Sequence, residues 1–167
     1  MKIVSVIGYS GSGKTFLISN AIKLLKQQLN LKSSVIKNVH KHEIDVEEKD
    51  SYKFADIGAQ YSIIRNNLKE NAIFIKKDIE IKSLIELIEV GPLKTDILFI
   101  EGFRNLNFPT ILCVKNFSEI KSQLTKKVKM ISGLVTKNQT DLQAEIDLPI
   151  IDIINNFERF LNIFKIR

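Results

Sequence analysis

The chain has a single cysteine in 167 residues, so no disulfide can form within it. Cys113 lies in the apolar run Thr110-Ile111-Leu112-Cys113-Val114 and is expected to be a small buried thiol rather than a reactive one. No Gly/Ser/Pro-rich linker, repeat or shift in composition divides the chain, so one domain spanning residues 1–167 is expected. No apolar run approaches membrane-spanning length, and the first strand begins at Lys2, which leaves no room for a signal peptide. A cytoplasmic protein with no membrane partner is therefore expected. Arginine is scarce: Arg65, Arg104, Arg159 and Arg167 are the only four, and the net charge of +6 is almost all lysine. Those lysines are scattered instead of clustering with aromatics on one helix, the pattern of a solvated surface, and no nucleic-acid partner is expected. Attraction for polyphosphate or other anionic partners remains reasonable. His40 and His42 have no cysteine or third histidine beside them and alternate as on an extended chain, so a two-histidine metal site is not expected.

What is present is Gly8-Tyr9-Ser10-Gly11-Ser12-Gly13-Lys14-Thr15, a glycine, four residues, then Gly-Lys-Ser/Thr. The apolar strand Ile3-Val4-Ser5-Val6-Ile7 precedes it, and an amphipathic helix over 15–29, with Leu17, Ala21, Leu24 and Leu25 at helical spacing, follows. Glycines at 8, 11 and 13 let the backbone turn tightly, so that several N–H groups can converge on phosphate oxygens at a helix N-terminus. Lys14 adds a charge that can reach the β- and γ-phosphates, and the Thr15 hydroxyl is placed for Mg²⁺. Read without a ligand, the same stretch is a glycine-rich strand-to-helix turn.

The strand Ser33-Ser34-Val35-Ile36-Lys37 closes a right-handed βαβ unit. The polar segment 38–51 follows it as a loop at the carboxyl edge of the sheet, where ligands bind in open α/β folds. Its Asp45 and Asp50 are candidate Mg²⁺-side carboxylates, whereas Glu47 and Glu48 are read as solvated. Asp50-Ser51 is expected to cap a helix stopped by Gly58, and Tyr61-Ser62-Ile63-Ile64-Arg65 with Ala72-Ile73-Phe74-Ile75 to form an antiparallel pair around a turn at Arg65-Asn66-Asn67. A helix over 79–90 should turn Ile81, Leu84, Ile85 and Ile88 inward.

Four apolar residues in Asp96-Ile97-Leu98-Phe99-Ile100-Glu101-Gly102-Phe103 mark a strand buried on both faces. Glu101, at its carboxyl end, is the second acid candidate of a phosphate-loop site, while Asp96 at the other end is structural. Further strands are expected over 110–114 and 130–135, a short helix over 119–124, and a closing helix with Ile153, Phe157, Phe160, Leu161 and Phe164 on one face. The expected fold is α/β, a phosphate-loop NTPase-like three-layer fold with a mostly parallel sheet and an antiparallel strand pair. In guanine-specific phosphate-loop proteins the loop after the late strand carries Asn/Thr-Lys-x-Asp. Thr136-Lys137 begins that pattern, Gln139 stands at the acid position, and Asp141, two residues later, is the candidate for reading the base.

Three blocks together resemble the MobB family of adaptor proteins of molybdopterin-guanine dinucleotide biosynthesis: residues 8–15; Ile36-Lys37-Asn38-Val39-His40 through Asp45, Lys49-Asp50-Ser51 and Gly58-Ala59; and Ile100-Glu101-Gly102-Phe103-Arg104. The chain departs from the family at Glu48, where a glycine is usual, and at Thr136-Lys137, where a Ser-Asp-like pair is usual. The resemblance implies a GTP-binding protein with weak Mg²⁺-dependent hydrolysis and with GTP and Mg²⁺ as cofactors. It also implies a homodimer, a MobA-like guanylyltransferase as partner, and molybdopterin as a candidate ligand. Lys14 and Glu101 are then the catalytic candidates, residues 8–15 and Asp141 bind nucleotide, and Thr15, Asp45, Asp50 and Glu101 face the metal. The rival reading is a small-molecule kinase using the same loop. Four scattered arginines and no evident lid argue against it, although Arg65 and Arg104 are available. A third reading is a polyphosphate-binding interaction module without turnover.

Overall fold

The computed structural model describes residues 1–40, 43–137 and 146–166. In chain order the strands are β1 (Lys2–Ile7), β2 (Ser33–Lys37), β3 (Ser62–Arg65), β4 (Asn71–Phe74), β5 (Ile97–Glu101), β6 (Thr110–Cys113) and β7 (Val128–Ser132). The helices are α1 (Lys14–Leu29), α2 (Asp50–Asp56), α3 (Ile81–Val90), α4 (Ile120–Gln123) and α5 (Phe157–Phe164), with 3₁₀ turns at Phe117–Glu119 and Leu134–Lys137. The chain forms two compact units, one of Met1–Asn38 with Ile88–Arg167 and the other of Val39–Leu87.

In the first unit five parallel strands pair in the order β2-β5-β1-β6-β7. Every residue of β5 is buried, as its run of four apolar residues predicts for a central parallel strand. Side chains alternate between the two faces. Val4, Val6, Ile111, Cys113 and Met130 pack in one cluster with Leu17, Ile18, Ala21 and Leu25 of α1 and with Phe157, Phe160, Leu161 and Phe164 of α5. Ile7, Leu112, Val114 and Ile131 form a second cluster with Ile120 and Val135. Apolar groups therefore leave water on both faces, and the three-layer α/β architecture with its mostly parallel sheet is the one expected. Asp96, at the start of β5, is structural: its Oδ2 accepts the Lys32 N–H at 2.9 Å and its Oδ1 lies 3.1 Å from Lys94 Nζ. The backbone hydrogen bond first, and then Lys94, hold its carboxyl below the usual carboxylate range.

In the second unit β3 and β4 pair antiparallel, Ser62 opposite Phe74 and Arg65 opposite Asn71. The expected turn closes through Asn66, whose Oδ1 accepts the Leu68 and Glu70 N–H groups at 2.9 and 3.0 Å. Lys76 lies 3.2 Å from the centre of the Tyr52 ring and 3.1 Å from Asp56 Oδ1, tying α2 to the chain after β4.

Four local expectations are corrected. The strand expected through residue 135 ends at Ser132, because Gly133 takes φ 95° and leads into a 3₁₀ turn. The closing helix begins at Phe157; Ile153 is buried 2% exposed but sits in the turn before it, where Asp152 Oδ1 accepts the Ile154 N–H. At α2 the capping position is Lys49, and the Ser51 hydroxyl donates to Asp45 Oδ1 at 3.0 Å instead of serving the helix end. In α3, Ile81, Leu84, Ile85 and Ile88 do share the better-covered side, but all four are only half-buried. Among the described residues no helix is long and apolar enough to cross a membrane.

Cys113 is fully buried, and burial pushes its thiol up to about 12. Native protein at pH 8 is expected to resist thiol-alkylating reagents until it unfolds. Alkylation followed by mass spectrometry with and without denaturant checks this, and rapid labelling of the native chain would contradict it.

Candidate functional site

β1 is the middle strand, and the chain leaves its carboxyl end directly into residues 8–15. Backbone pairing places Val6 of β1 and Lys37 of β2 at the level of Glu101 of β5. Three strand ends therefore open side by side at the edge where open α/β sheets hold ligands.

The loop is packed from below. Gly8 has φ 146°, and a Cβ there would lie 2.1 Å from the Cys113 carbonyl oxygen, so only glycine lets the chain cross the end of β6 so closely. On the other side the Leu134 N–H donates to the Ser12 carbonyl at 3.2 Å, joining the loop to the turn after β7. Gly13 stands at the start of α1 in a left-handed conformation, and the first helical residue is Lys14. Its ammonium folds back across the loop and donates to the carbonyls of Gly8 and Tyr9, both at 2.9 Å. Two of its three N–H donors are so engaged, which fixes the charge over the loop and leaves a third for an anion. Within the loop the Ser12 N–H donates to the Tyr9 carbonyl at 3.3 Å. Tyr9, Ser10 and Gly11 are exposed.

Beside the loop, Thr15 Oγ1 lies 3.5 Å from Glu101 Oε1, and Glu101 is 5% exposed. A buried carboxylate facing a hydroxyl is a hard oxygen-donor pair of the kind Mg²⁺ takes, completed by phosphate oxygens and water. The donor chemistry fits such an ion. Among the described residues no group of three or more His, Cys, Asp or Glu side chains is close enough to hold a metal by itself, so a metal here would depend on its ligand's phosphates.

Of the residues singled out in the sequence, the structure brings together Lys14, Thr15 and Glu101 with the glycines of the loop. Asp45 and Asp50 lie in the second unit; Asp45 Oδ1 accepts from the Ser51 hydroxyl and the Val46 N–H, and Asp50 stands 3.8 Å from Lys53. Arg65 is in β3 of the same unit. Asp141 and His42 lie outside the described residues. Arg104 has its guanidinium 5.2 Å from the centre of the Tyr9 ring and donates to the buried Gln123 Oε1 at 2.8 Å, placing a cation beside the loop.

Two lysines escaped the sequence reading. Lys37 donates to Thr15 Oγ1 at 3.2 Å and stands 3.5 Å from Glu101 Oε1. Lys115, after β6, passes so close to Gly11 that a Cβ there would lie 3.4 Å from its Nζ. Lys37 stands in the 36–40 block that carries the resemblance but was given no role there; the local signal the two lysines share is position, each falling at or just past the carboxyl end of a strand, as Glu101 does.

The family model described as molybdopterin guanine dinucleotide synthesis protein B matches residues 3–137. The molybdopterin-guanine dinucleotide biosynthesis adapter protein of Haemophilus influenzae is 30% identical over 154 residues, which cover 90% of this chain and 81% of that protein. A putative protein of the same description from Methanocaldococcus jannaschii is 29% identical over 122 residues, 70% of this chain and 48% of that one, so the match spans about half of its length. Among solved structures, Bacillus subtilis MobB superposes with a TM-score of 0.73 at 23% identity, and a MobB protein homolog from Bacillus stearothermophilus with 0.70 at 15%, each covering 100% of both chains. At those identities the likeness shows the fold.

Proposed function

The chain belongs to the molybdopterin guanine dinucleotide synthesis protein B family, and from that premise we propose that it is an adapter of molybdopterin-guanine dinucleotide biosynthesis that binds GTP with Mg²⁺ at residues 8–15. On this reading it hydrolyses GTP slowly, works as a homodimer, and assists a guanylyltransferase that attaches the guanine nucleotide to the pterin. The observation that carries the nucleotide part is the meeting of Lys14, Thr15 and buried Glu101 at the carboxyl edge, with the loop's backbone held open by glycines. The adapter part rests on the family and on the Haemophilus influenzae relative, which bears that description.

The loop's N–H groups and the Lys14 ammonium would hold the β- and γ-phosphates. Thr15 Oγ1 and Glu101 would hold Mg²⁺, which supplies neutralisation of phosphate charge. Lys115 and Arg104 add positive charge around the loop. Four arginines in the whole sequence are few for neutralising a phosphoryl group in fast transfer, which supports slow turnover.

Glu101→Gln keeps shape and removes the anion, so the Mg²⁺-dependent part of nucleotide binding is expected to fall while Mg²⁺-free binding stays as in the parent. Titrating a fluorescent GTP analogue with and without Mg²⁺ checks this; an unchanged Mg²⁺ response would make Glu101 structural. The same titration of Asp45→Asn and Asp50→Asn tests the expectation that those carboxylates serve the metal. Transfer of the γ-phosphoryl group onto an added acceptor hydroxyl, with GDP and no free phosphate formed beside it, would instead make the protein a kinase.

Base preference is decided by competing GTP and ATP for one fluorescent nucleotide. A site that hydrogen-bonds guanine leaves a buried polar group unpaired when adenine enters, a penalty of about 1–3 kcal/mol, so GTP is expected to bind at least about tenfold tighter. Asp141→Ala is expected to erase the gap. Equal affinities in the parent would leave a loop that reads phosphate alone.

A further inference from the structure

We propose that Lys37 is a built-in competitor of the divalent cation: its ammonium holds the place beside Thr15 and Glu101 and must leave before a metal ion binds there. The inference rests on the Mg²⁺–nucleotide reading above and adds the residue that sets how much metal the site demands.

The three groups form a nearly equilateral triangle. Lys37 Nζ is 3.2 Å from Thr15 Oγ1 and 3.5 Å from Glu101 Oε1, and the two oxygens are 3.5 Å apart. An ion bonded to both oxygens at Mg²⁺ distances would lie within about 4 Å of Nζ wherever around them it sat. At that separation like charges repel strongly, the more so beside a buried carboxylate where water screens poorly. Metal and ammonium therefore exclude one another.

The geometry also says which group moves. Glu101 is 5% exposed and ends a fully buried strand, so it stays. The backbone of β2 is tied to the same level, with Lys37 opposite Glu101 and the Asn38 N–H donating to the Glu101 carbonyl at 2.9 Å. The Lys37 side chain is 48% exposed and carries its charge on a flexible four-carbon stem, so it can swing away without disturbing the sheet. While it is in place it compensates the buried Glu101 charge, and Lys37 is the one ion-pair partner of Glu101 among the described residues. The lysine thus stabilises the metal-free site and raises the metal concentration needed to fill it.

Lys37→Met keeps most of the stem and removes the charge. Two measurements apply: the Mg²⁺ dependence of binding a fluorescent GTP analogue, and the melting temperature in the presence of a non-hydrolysable GTP analogue, with Mg²⁺ and in metal-free buffer. The half-saturating Mg²⁺ concentration is expected to fall about tenfold, equivalent to about 1.4 kcal/mol. The variant should melt below the parent in metal-free buffer and recover more on adding Mg²⁺ than the parent gains. Lys37→Met combined with Glu101→Gln, a neutral pair, should melt close to the parent and lose the Mg²⁺ response. Lys37→Arg keeps the charge and guards against a methionine variant that does not fold; it should need at least as much Mg²⁺ as the parent. An unchanged or higher Mg²⁺ requirement for Lys37→Met, a lower one for Lys37→Arg, or a loss of nucleotide affinity equal with and without Mg²⁺ would overturn the proposal; the last would make Lys37 a phosphate ligand. A parent that shows no Mg²⁺-dependent nucleotide binding would sink the underlying reading itself, and this inference with it.

Discussion

Lys14→Ala is expected to lower nucleotide affinity roughly ten- to a hundredfold, the equivalent of losing a charge-assisted contact of about 1.5–3 kcal/mol. The geometry gives the lysine two tasks. Its ammonium bonds the Gly8 and Tyr9 carbonyls, which ties the first turn of the helix to the start of the loop, and it presents its remaining donor where phosphate would lie. Alanine removes both, so the loop loses a tie as well as a charge. Neither task involves the core, because Lys14 is only half-buried and absent from both hydrophobic clusters. The variant should therefore fold and melt close to the parent. Nucleotide titration beside a thermal melt checks both halves, and full affinity in a folded Lys14→Ala protein would remove the phosphate-loop assignment.

Gly133→Ala is expected to damage the same site without touching a ligand. At Gly133 φ is +95°, and an added Cβ would stand 2.3 Å from the Ser12 carbonyl oxygen and 2.9 Å from that of Val114. Both obstacles are backbone, so no side chain can rotate aside. The left-handed conformation alone costs an alanine about 1–3 kcal/mol, and the clash adds to it by pushing the loop off the end of β6. A loss of at least about 2 kcal/mol of stability is expected, together with weaker nucleotide binding. Gly58→Ala is the control: φ there is +111°, yet a Cβ would meet nothing within 4 Å. That variant should show the conformational penalty with nucleotide affinity intact. Chemical denaturation and nucleotide titration of the two variants decide the matter, and a Gly133→Ala protein no less stable than Gly58→Ala would contradict the packing argument.

Gly133 also shows where sequence reasoning runs out. Met130-Ile131-Ser132-Gly133-Leu134-Val135 has the apolar run of a buried strand, and no local pattern says that the strand must stop at Ser132. Gly133 permits the stop by taking φ 95°, and the turn it opens is held from more than a hundred positions away, through the bond from the Leu134 N–H to the Ser12 carbonyl. Lys37 was hidden for a similar reason. It is one lysine among many scattered along the chain, and its meaning arises from the pairing of β2 with β5, a register between segments far apart in sequence. The loop and Glu101 were legible because their signals are local: a spacing of glycines in one case, four apolar residues ending in an acid in the other. Asp96 was legible by its place at the opposite end of the same strand. The antiparallel β3–β4 pair was legible because so short a connection leaves no room for a crossover. In α3 the apolar spacing identified the right side of the helix but not how far it would be covered.

On the proposed function, residues 8–15, with Lys14, Thr15 and Glu101, make a Mg²⁺-dependent guanine nucleotide site. Isothermal titration of the whole chain with a non-hydrolysable GTP analogue, in Mg²⁺ and in a chelating buffer, measures it most directly. Saturable binding at one nucleotide per chain is expected, tightened by Mg²⁺ and weakened by Lys14→Ala in both buffers. No saturable binding with or without Mg²⁺, or binding that Lys14→Ala leaves untouched, would contradict it.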